Sequence, residues 1–271
     1  MLGGVTSANR DTTLPDKTLT KIVLIEKNTA AGGHRMDRDE GLRVLAASPW
    51  LSRTPVEFRD ALLSSSRWRK HEAGALVTLG GEEASDVIGM ASGVVEFSTV
   101  FGASDTPMLT LGHAAHWLGY GPFISGGQPR RATAVARTEV FAASISPASI
   151  HAVLARRPEW WQHFLPLSLE YGDTMVMIAA DLLIRDSERR CGAALLRFAG
   201  ARLPGPRDAG PIEVQATHEE LAANANLSRN STGTILRKFG KAGLVETDYG
   251  RIVLTDAVGL RRLVNRPTAQ T

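Results

Sequence analysis

Residues 217–254 constrain this chain more than any other stretch. Thr217-His-Glu-Glu220 sets a hydroxyl acceptor three residues before a glutamate, the reciprocal cap that opens a helix. Leu221 and Ala222 give that helix a small apolar face, Asn224-Ala-Asn-Leu227 reads as a turn, and Ser228 caps a second helix. Ile235, Leu236 and Phe239 recur on that second helix at helical spacing and lock it to a core. Leu244 to Leu254 then reads as strand, a polar turn across Asp248 to Gly250, and strand. Two crossing helices followed at once by a hairpin form a winged helix-turn-helix.

The side chains left outside on the second helix have the chemistry of duplex DNA. Ser228, Arg229, Asn230, Ser231 and Thr234 occupy its N-terminal turns, where short polar groups and an arginine fork reach base edges. Arg237, Lys238 and Lys241 follow one to three turns later, suited to the flanking phosphates. The segment from Thr217 to Arg266 carries eight Lys and Arg against five Asp and Glu, an excess equal to the +3 net charge of the whole chain. A structural helical hairpin is the alternative for this segment, and the basic outer face argues against it.

The 271 residues leave room for a second domain upstream. Residues 1–40 are polar, with one apolar cluster at Ile22 to Ile25, and read as a flexible arm; Met36 offers an alternative start. Gly41 to Ser66 has helical spacing broken at Pro55. Between Trp68 and Ile145 the texture becomes short apolar runs separated by Gly, Asp and Pro: 75–79, 87–90, 93–100, 107–111, 132–136 and 139–142. Such runs at near-regular spacing predict an antiparallel sandwich or barrel, without the βαβ alternation of a dinucleotide fold. Ser146 caps a short helix. From Pro158 a long helix follows, with Trp161, Phe164, Ser168, Tyr171, Met175, Ile178 and Leu182 spaced by threes and fours. That seam calls for a partner helix, either within the chain or from a second copy. The expected fold class is α+β: a β-rich domain over 41–157, a dimerisation helix over 158–185, the winged helix-turn-helix over 186–266, and a tail over 267–271.

The composition excludes several classes. A lone cysteine, Cys191, cannot staple the chain, and reads as a small buried residue or a redox-sensing thiol. No stretch approaches the ~20 apolar residues of a membrane span, and the start lacks a secretory pattern, so a cytoplasmic setting without membrane contact is expected. His113 and His116 stand three apart with no acidic or thiol companion, which reads as two ordinary histidines rather than a metal site. No nucleophile elbow, phosphate loop or zinc-protease motif is present, so no catalytic residue and no metal are assigned and the chain is not expected to be an enzyme.

The stretch Leu227-Ser-Arg-Asn-Ser-Thr-Gly-Thr-Ile-Leu-Arg-Lys238 resembles the recognition helix of the Crp/Fnr family of transcription regulators (cyclic-AMP receptor protein and fumarate/nitrate reduction regulator). Asp186 and Arg190 match the start of its preceding helix, and the order of segments also fits, over about Gly41 to Val264. The resemblance implies a cyclic-nucleotide-binding-like β-roll (jelly roll) that senses an effector and a homodimer through the helix at 158–185. It further implies double-stranded DNA and RNA polymerase as partners. It makes Arg229, Asn230 and Thr234 the base readers, with Arg229 set for guanine.

The effector cassette departs from the family. The family's Gly-Glu turn and later Arg-Ser align with Gly119-Tyr120 and Arg130-Arg131, so the carboxylate that would hold a ribose hydroxyl is Tyr120. The base-contacting polar pair of the dimer helix falls near Met175 and Val176, both apolar. Tyr120, Arg130, Arg131 and Met175 are therefore a candidate pocket for an unidentified effector other than cyclic AMP, and no cofactor is assigned. A β-roll ligand sensor acting mainly through protein–protein contacts is the alternative function.

Overall fold

The computed structural model describes residues 36–83, 86–99, 108–248 and 251–266. Of the arm expected over 1–40, residues 1–35 with the Ile22 to Ile25 cluster lie outside the described residues, as do the tail over 267–271 and the tip of the wing at 249–250, whereas residues 38–40 already belong to a helix capped by Asp37.

Two short helices come first, α1 (Arg38–Ala46) and α2 (Val56–Ser64). Eight strands follow: β1 (Arg67–His71), β2 (Leu76–Thr78), β3 (Val87–Ser92), β4 (Val95–Thr99), β5 (Thr110–Gly112), β6 (Trp117–Leu118), β7 (Ala132–Ala136) and β8 (Val140–Ile145). A one-turn helix, α3 (Gly121–Ile124), sits between β6 and β7. The strands form two four-stranded antiparallel sheets, ordered β1-β8-β3-β6 and β2-β7-β4-β5. Six of the eight, β2, β3, β4, β5, β7 and β8, overlap the six apolar runs read from sequence, and β1 and β6 do not. The run reading misses β1, because Arg67-Trp-Arg-Lys-His71 is a charged edge strand that pairs with only β8. Its one strand partner supplies the apolar neighbours that its own sequence lacks.

Helix α4 (Pro147–Arg156) is capped by Ser146, whose Oγ accepts the Ser149 amide at 3.2 Å. The long helix differs from expectation at its start. Residues 158–164 form a 3-10 turn, and the α-helix α5 runs from Leu165 to Leu182. Pro166 therefore sits in the first turn of α5, where its missing N–H has no intrahelical acceptor to lose. The 3-10 turn is anchored by an aromatic cluster: Phe164 packs among Trp50, Phe58 and Phe123, and Trp50 Nε1 donates to the His163 carbonyl at 2.5 Å.

The C-terminal part contains α6 (Ser187–Phe198), β9 (Ile212–Val214), α7 (His218–Asn224), α8 (Arg229–Lys241), β10 (Val245–Asp248), β11 (Arg251–Leu254) and α9 (Ala257–Val264). The wing is a three-stranded sheet, β10-β11-β9. Its core joins Leu195, Leu221, Leu236, Phe239, Ile252 and Leu260, and it also takes in Met108 and Leu111 from the β-roll. The two parts of the chain are thus packed on one another. Cys191 is fully buried in this core and burial pushes its thiol up to about 12. A fully buried thiol that stays protonated is a poor nucleophile, which fits the reading of Cys191 as a small buried residue.

Candidate nucleic-acid interface and β-roll cavity

The cap of α7 forms as its sequence dictates. Thr217 Oγ1 accepts the Glu220 amide at 3.1 Å, and Glu220 Oε2 accepts the Thr217 amide at 2.8 Å. The turn is closed by Asn226 in the left-handed region, at φ 51°, a conformation that asparagine tolerates better than most residues. Ser228 then caps α8, accepting the Ser231 amide at 3.1 Å. Thr232, Leu236 and Phe239, at i, i+4 and i+7, bury one face of α8.

The opposite face is open. Ser228, Arg229, Asn230, Ser231, Thr234, Arg237 and Lys238 are all exposed. Ser228 and Ser231 hydroxyls lie 2.9 Å apart within the cap, and Thr234 Oγ1 donates to the Asn230 carbonyl at 3.0 Å. Arg237 Nη2 donates back to Thr234 Oγ1 at 2.9 Å. Lys238 Nζ is paired with Glu188 of α6, a partner that the sequence reading did not anticipate. Arg190 donates through Nε to the Ala225 carbonyl at 2.6 Å, tying α6 to the turn between the two helices. Glu188 and Arg190 lay within a segment read correctly as the start of a helix, but Lys238 and Ala225 are distant from them in sequence and left no local signal.

The second feature is a cavity of about 310 Å³ in the β-roll. Tyr120, Arg130 and Arg131 line it, together with Trp117, Ser125, Gln128, Ser168 and Tyr171 among others. Met175 is not among the lining residues: α5 reaches the cavity one to two turns earlier, through Ser168 and Tyr171. Arg130 is 5% exposed; its Nη2 donates to the Asp86 carbonyl at 3.2 Å and its Nε is buried with no hydrogen-bond partner. Burial lowers its pKa, opposed by Glu82 and Asp86. Gly119, at φ +78°, is required here on two counts: a Cβ would lie 2.6 Å from both Arg130 Nη1 and the Asp86 carbonyl. The Tyr120 hydroxyl donates to the Leu167 carbonyl of α5 at 2.9 Å, and burial raises its pKa, with Glu170 and Tyr171 adding to the shift.

His113 and His116 do not converge on a common site. His113 Nε2 lies 3.0 Å from the Phe198 carbonyl, and burial holds its pKa well below the ordinary imidazole value. His116 is open to the cavity and stacks edge-on against Phe97. Among the described residues no group of three or more His, Cys, Asp or Glu is placed to hold a metal, and no helix is long and apolar enough to cross a membrane.

Such a β-roll joined by a long helix to a capped, basic, winged helix pair defines a class: DNA-binding regulators with a cyclic-nucleotide-binding-like domain. Residues 189–263 match the Crp-like helix-turn-helix domain family. The chain is similar to the transcriptional regulator LdrP of Thermus thermophilus, 27% identical over 69% of this chain and 91% of that protein. It is also similar to the transcriptional regulator SdrP of the same species, 32% identical over 28% of this chain, which spans only 37% of SdrP. A Ruegeria pomeroyi structure described as a cyclic nucleotide binding protein shares the fold, with TM-score 0.60 and 19% identity over 86% of this chain and all of that one. Residues 189–263 thus carry a Crp-like helix-turn-helix domain, and the curated relatives of the chain are transcriptional regulators.

Proposed function

We propose that this chain acts as a homodimeric, sequence-specific DNA-binding regulator that reads a pseudo-palindromic site. The observation that carries this reading is the face of α8. Arg229, Asn230, Ser231 and Thr234 stand exposed at the N-terminal end of a capped helix whose other face is locked into the core. A helix presented in this way enters a major groove with its first turns against the base edges. Arg229 reads guanine, Asn230 and Thr234 complete the half-site, and Arg237 and Lys238 take phosphates.

Helix α5 supports the dimer. Leu165, Leu169, Val176 and Leu183 are 64–80% exposed and follow one another by fours and sevens, with Gly172 and Ala179 on the same face. This seam lies beside the one read from sequence, because Phe164 of the expected seam is consumed by the core. An apolar stripe of this length in water favours a second copy of the same helix. A two-fold pair places the two recognition helices one DNA turn apart, roughly 34 Å.

The cavity is the effector site of this reading, and cyclic AMP is not its ligand. Tyr120 stands where a carboxylate would accept a ribose hydroxyl, and its own hydroxyl is already spent on Leu167. The regulator works in the cytoplasm, contacts RNA polymerase and has no catalytic activity of its own. Selection of duplexes from a random pool by the purified chain tests the central claim. An enriched inverted repeat with half-sites one turn apart is expected; uniform, salt-sensitive weak binding with no enriched sequence overturns sequence-specific reading. Cyclic AMP at millimolar concentration is expected to leave the melting temperature unchanged.

A further inference from the structure

The contact between the β-roll and the helix-turn-helix combines apolar packing with polar ties, and one side chain, Asn224, joins three segments across it. Asn224, the last residue of α7, donates through Nδ2 to the Met108 carbonyl and, at 3.4 Å, to the Leu109 carbonyl, both just before β5. Its Oδ1 accepts from Arg197 Nη2 of α6 at 2.5 Å. Carbonyls only accept and a guanidinium only donates, so the amide has one orientation here and an apolar or acidic replacement cannot serve both sides.

Behind Asn224 the chain of contacts continues. Arg197 is 4% exposed, and its Nη1 lies 3.6 Å from Asp181 Oδ2, an ion pair too long for a hydrogen bond. Asp181, 2% exposed in the last turn of α5, also accepts from Arg202 Nε at 3.0 Å. The row Asp181–Arg197–Asn224–Met108, buried except at the half-buried Asn224, therefore joins the long helix, the DNA-binding core and the β-roll. Two further contacts run parallel to it. Arg137 of the β-roll bridges Glu96 of β4 and Glu220, the capping residue of α7. His113 meets the end of α6 at Phe198.

We propose that Asn224 is a positioning residue for the recognition helix, one that makes the orientation of α8 depend on the β-roll and on α5. This rests on the DNA-binding reading above. The geometry explains why a side chain outside α8 matters for it. Asn224 precedes the turn that sets the angle between α7 and α8, and that turn is also held by Arg190 at Ala225. A buried polar network binds its members strongly only while each is satisfied, so releasing Asn224 from the two carbonyls frees α7 to tilt as a unit with α8. In a dimer such a tilt changes the spacing of two recognition helices, which specific sites sense and random DNA does not.

The test uses the full chain and three variants. Asn224→Asp keeps an oxygen for Arg197 and turns the other toward two carbonyls; Asn224→Leu removes both bonds at similar volume. Arg137→Gln, which loosens the same contact from the β-roll side, is carried beside them so that the result does not hang on one fold-sensitive position. Hydrogen exchange over 108–112 and 218–227 is expected to rise about tenfold or more in each variant, with the melting of the whole chain still a single transition. Affinity for the duplex selected by the wild type is expected to fall within the ~5–150-fold range of ordinary site coupling, while affinity for unselected duplex stays the same. Unchanged exchange at 108–112, or equal loss of affinity for selected and unselected duplex, overturns the proposal. If the wild type selects no duplex, the DNA reading is what fails, and the exchange measurement still decides the tie through Asn224.

Discussion

The arginines of α8 and the arginines of the interior behave in opposite ways. Arg229 and Arg237 stand in water on a helix surface, where their charge costs little and stays available to a partner. Arg130 and Arg197 are 5% and 4% exposed, each beside acidic side chains or carbonyls, and burial lowers the pKa of both. An exposed cation can be exchanged with little effect on the fold, whereas a buried one must be answered by groups brought from elsewhere in the chain. The difference teaches where binding and where coupling reside in this molecule: the recognition helix offers free charge, and the interior uses charge to hold its parts in register.

The largest expected effect tests the interior half of that contrast. Arg197→Met leaves Asp181 with Arg202 alone and Asn224 with an unanswered oxygen, and a loss of about 3 kcal/mol of stability is expected by urea denaturation. A loss below about 0.5 kcal/mol would mean that the buried pair is not holding the parts together. Next comes His113. Its folded pKa is depressed by burial, so the unfolded chain binds the proton more readily, and stability falls as pH drops below about 6.5. The slope approaches about 1.4 kcal/mol per pH unit, and melting curves between pH 7 and pH 5 should show it, with a flatter profile in His113→Gln.

The exposed half is sharpened by Arg229→Ala. Stability should change by no more than about 0.5 kcal/mol, while specific binding loses about 1–3 kcal/mol and relaxes at one position of each half-site. Equal weakening on every sequence would assign Arg229 to the phosphates instead. The smallest effect is expected of Glu188→Ala. It frees Lys238 from its ion pair, and the slope of log affinity against log salt should steepen by about 1 if that lysine then meets a phosphate. An unchanged slope removes Lys238 from the interface.

The sequence by itself determined the elements that rest on local chemistry. Thr217 with Glu220, Ser228, and the apolar Ile235, Leu236 and Phe239 specify the two helices, because a cap and an amphipathic stripe are satisfied within one or two turns; that Thr232 rather than Ile235 completes the buried face was seen only in the fold. The exposed α8 residues followed from the same periodicity. The alternating apolar runs located six of the eight strands, and the substitution at Tyr120 was legible as a departure from the family's cassette. Tertiary structure decided the rest. It made a strand of Arg67 to His71, which only β8 could supply with an apolar neighbour. It moved the open seam of α5 by one position, because Phe164 was drawn into an aromatic cluster with Trp50 and Phe58. It left Met175 out of the cavity and gave Lys238 to Glu188. Above all it joined Met108, Asn224, Arg197 and Asp181, residues spread over more than a hundred positions, into one largely buried row. A hydrogen bond between distant segments leaves no period in the sequence, so only the packed chain could bring those partners together.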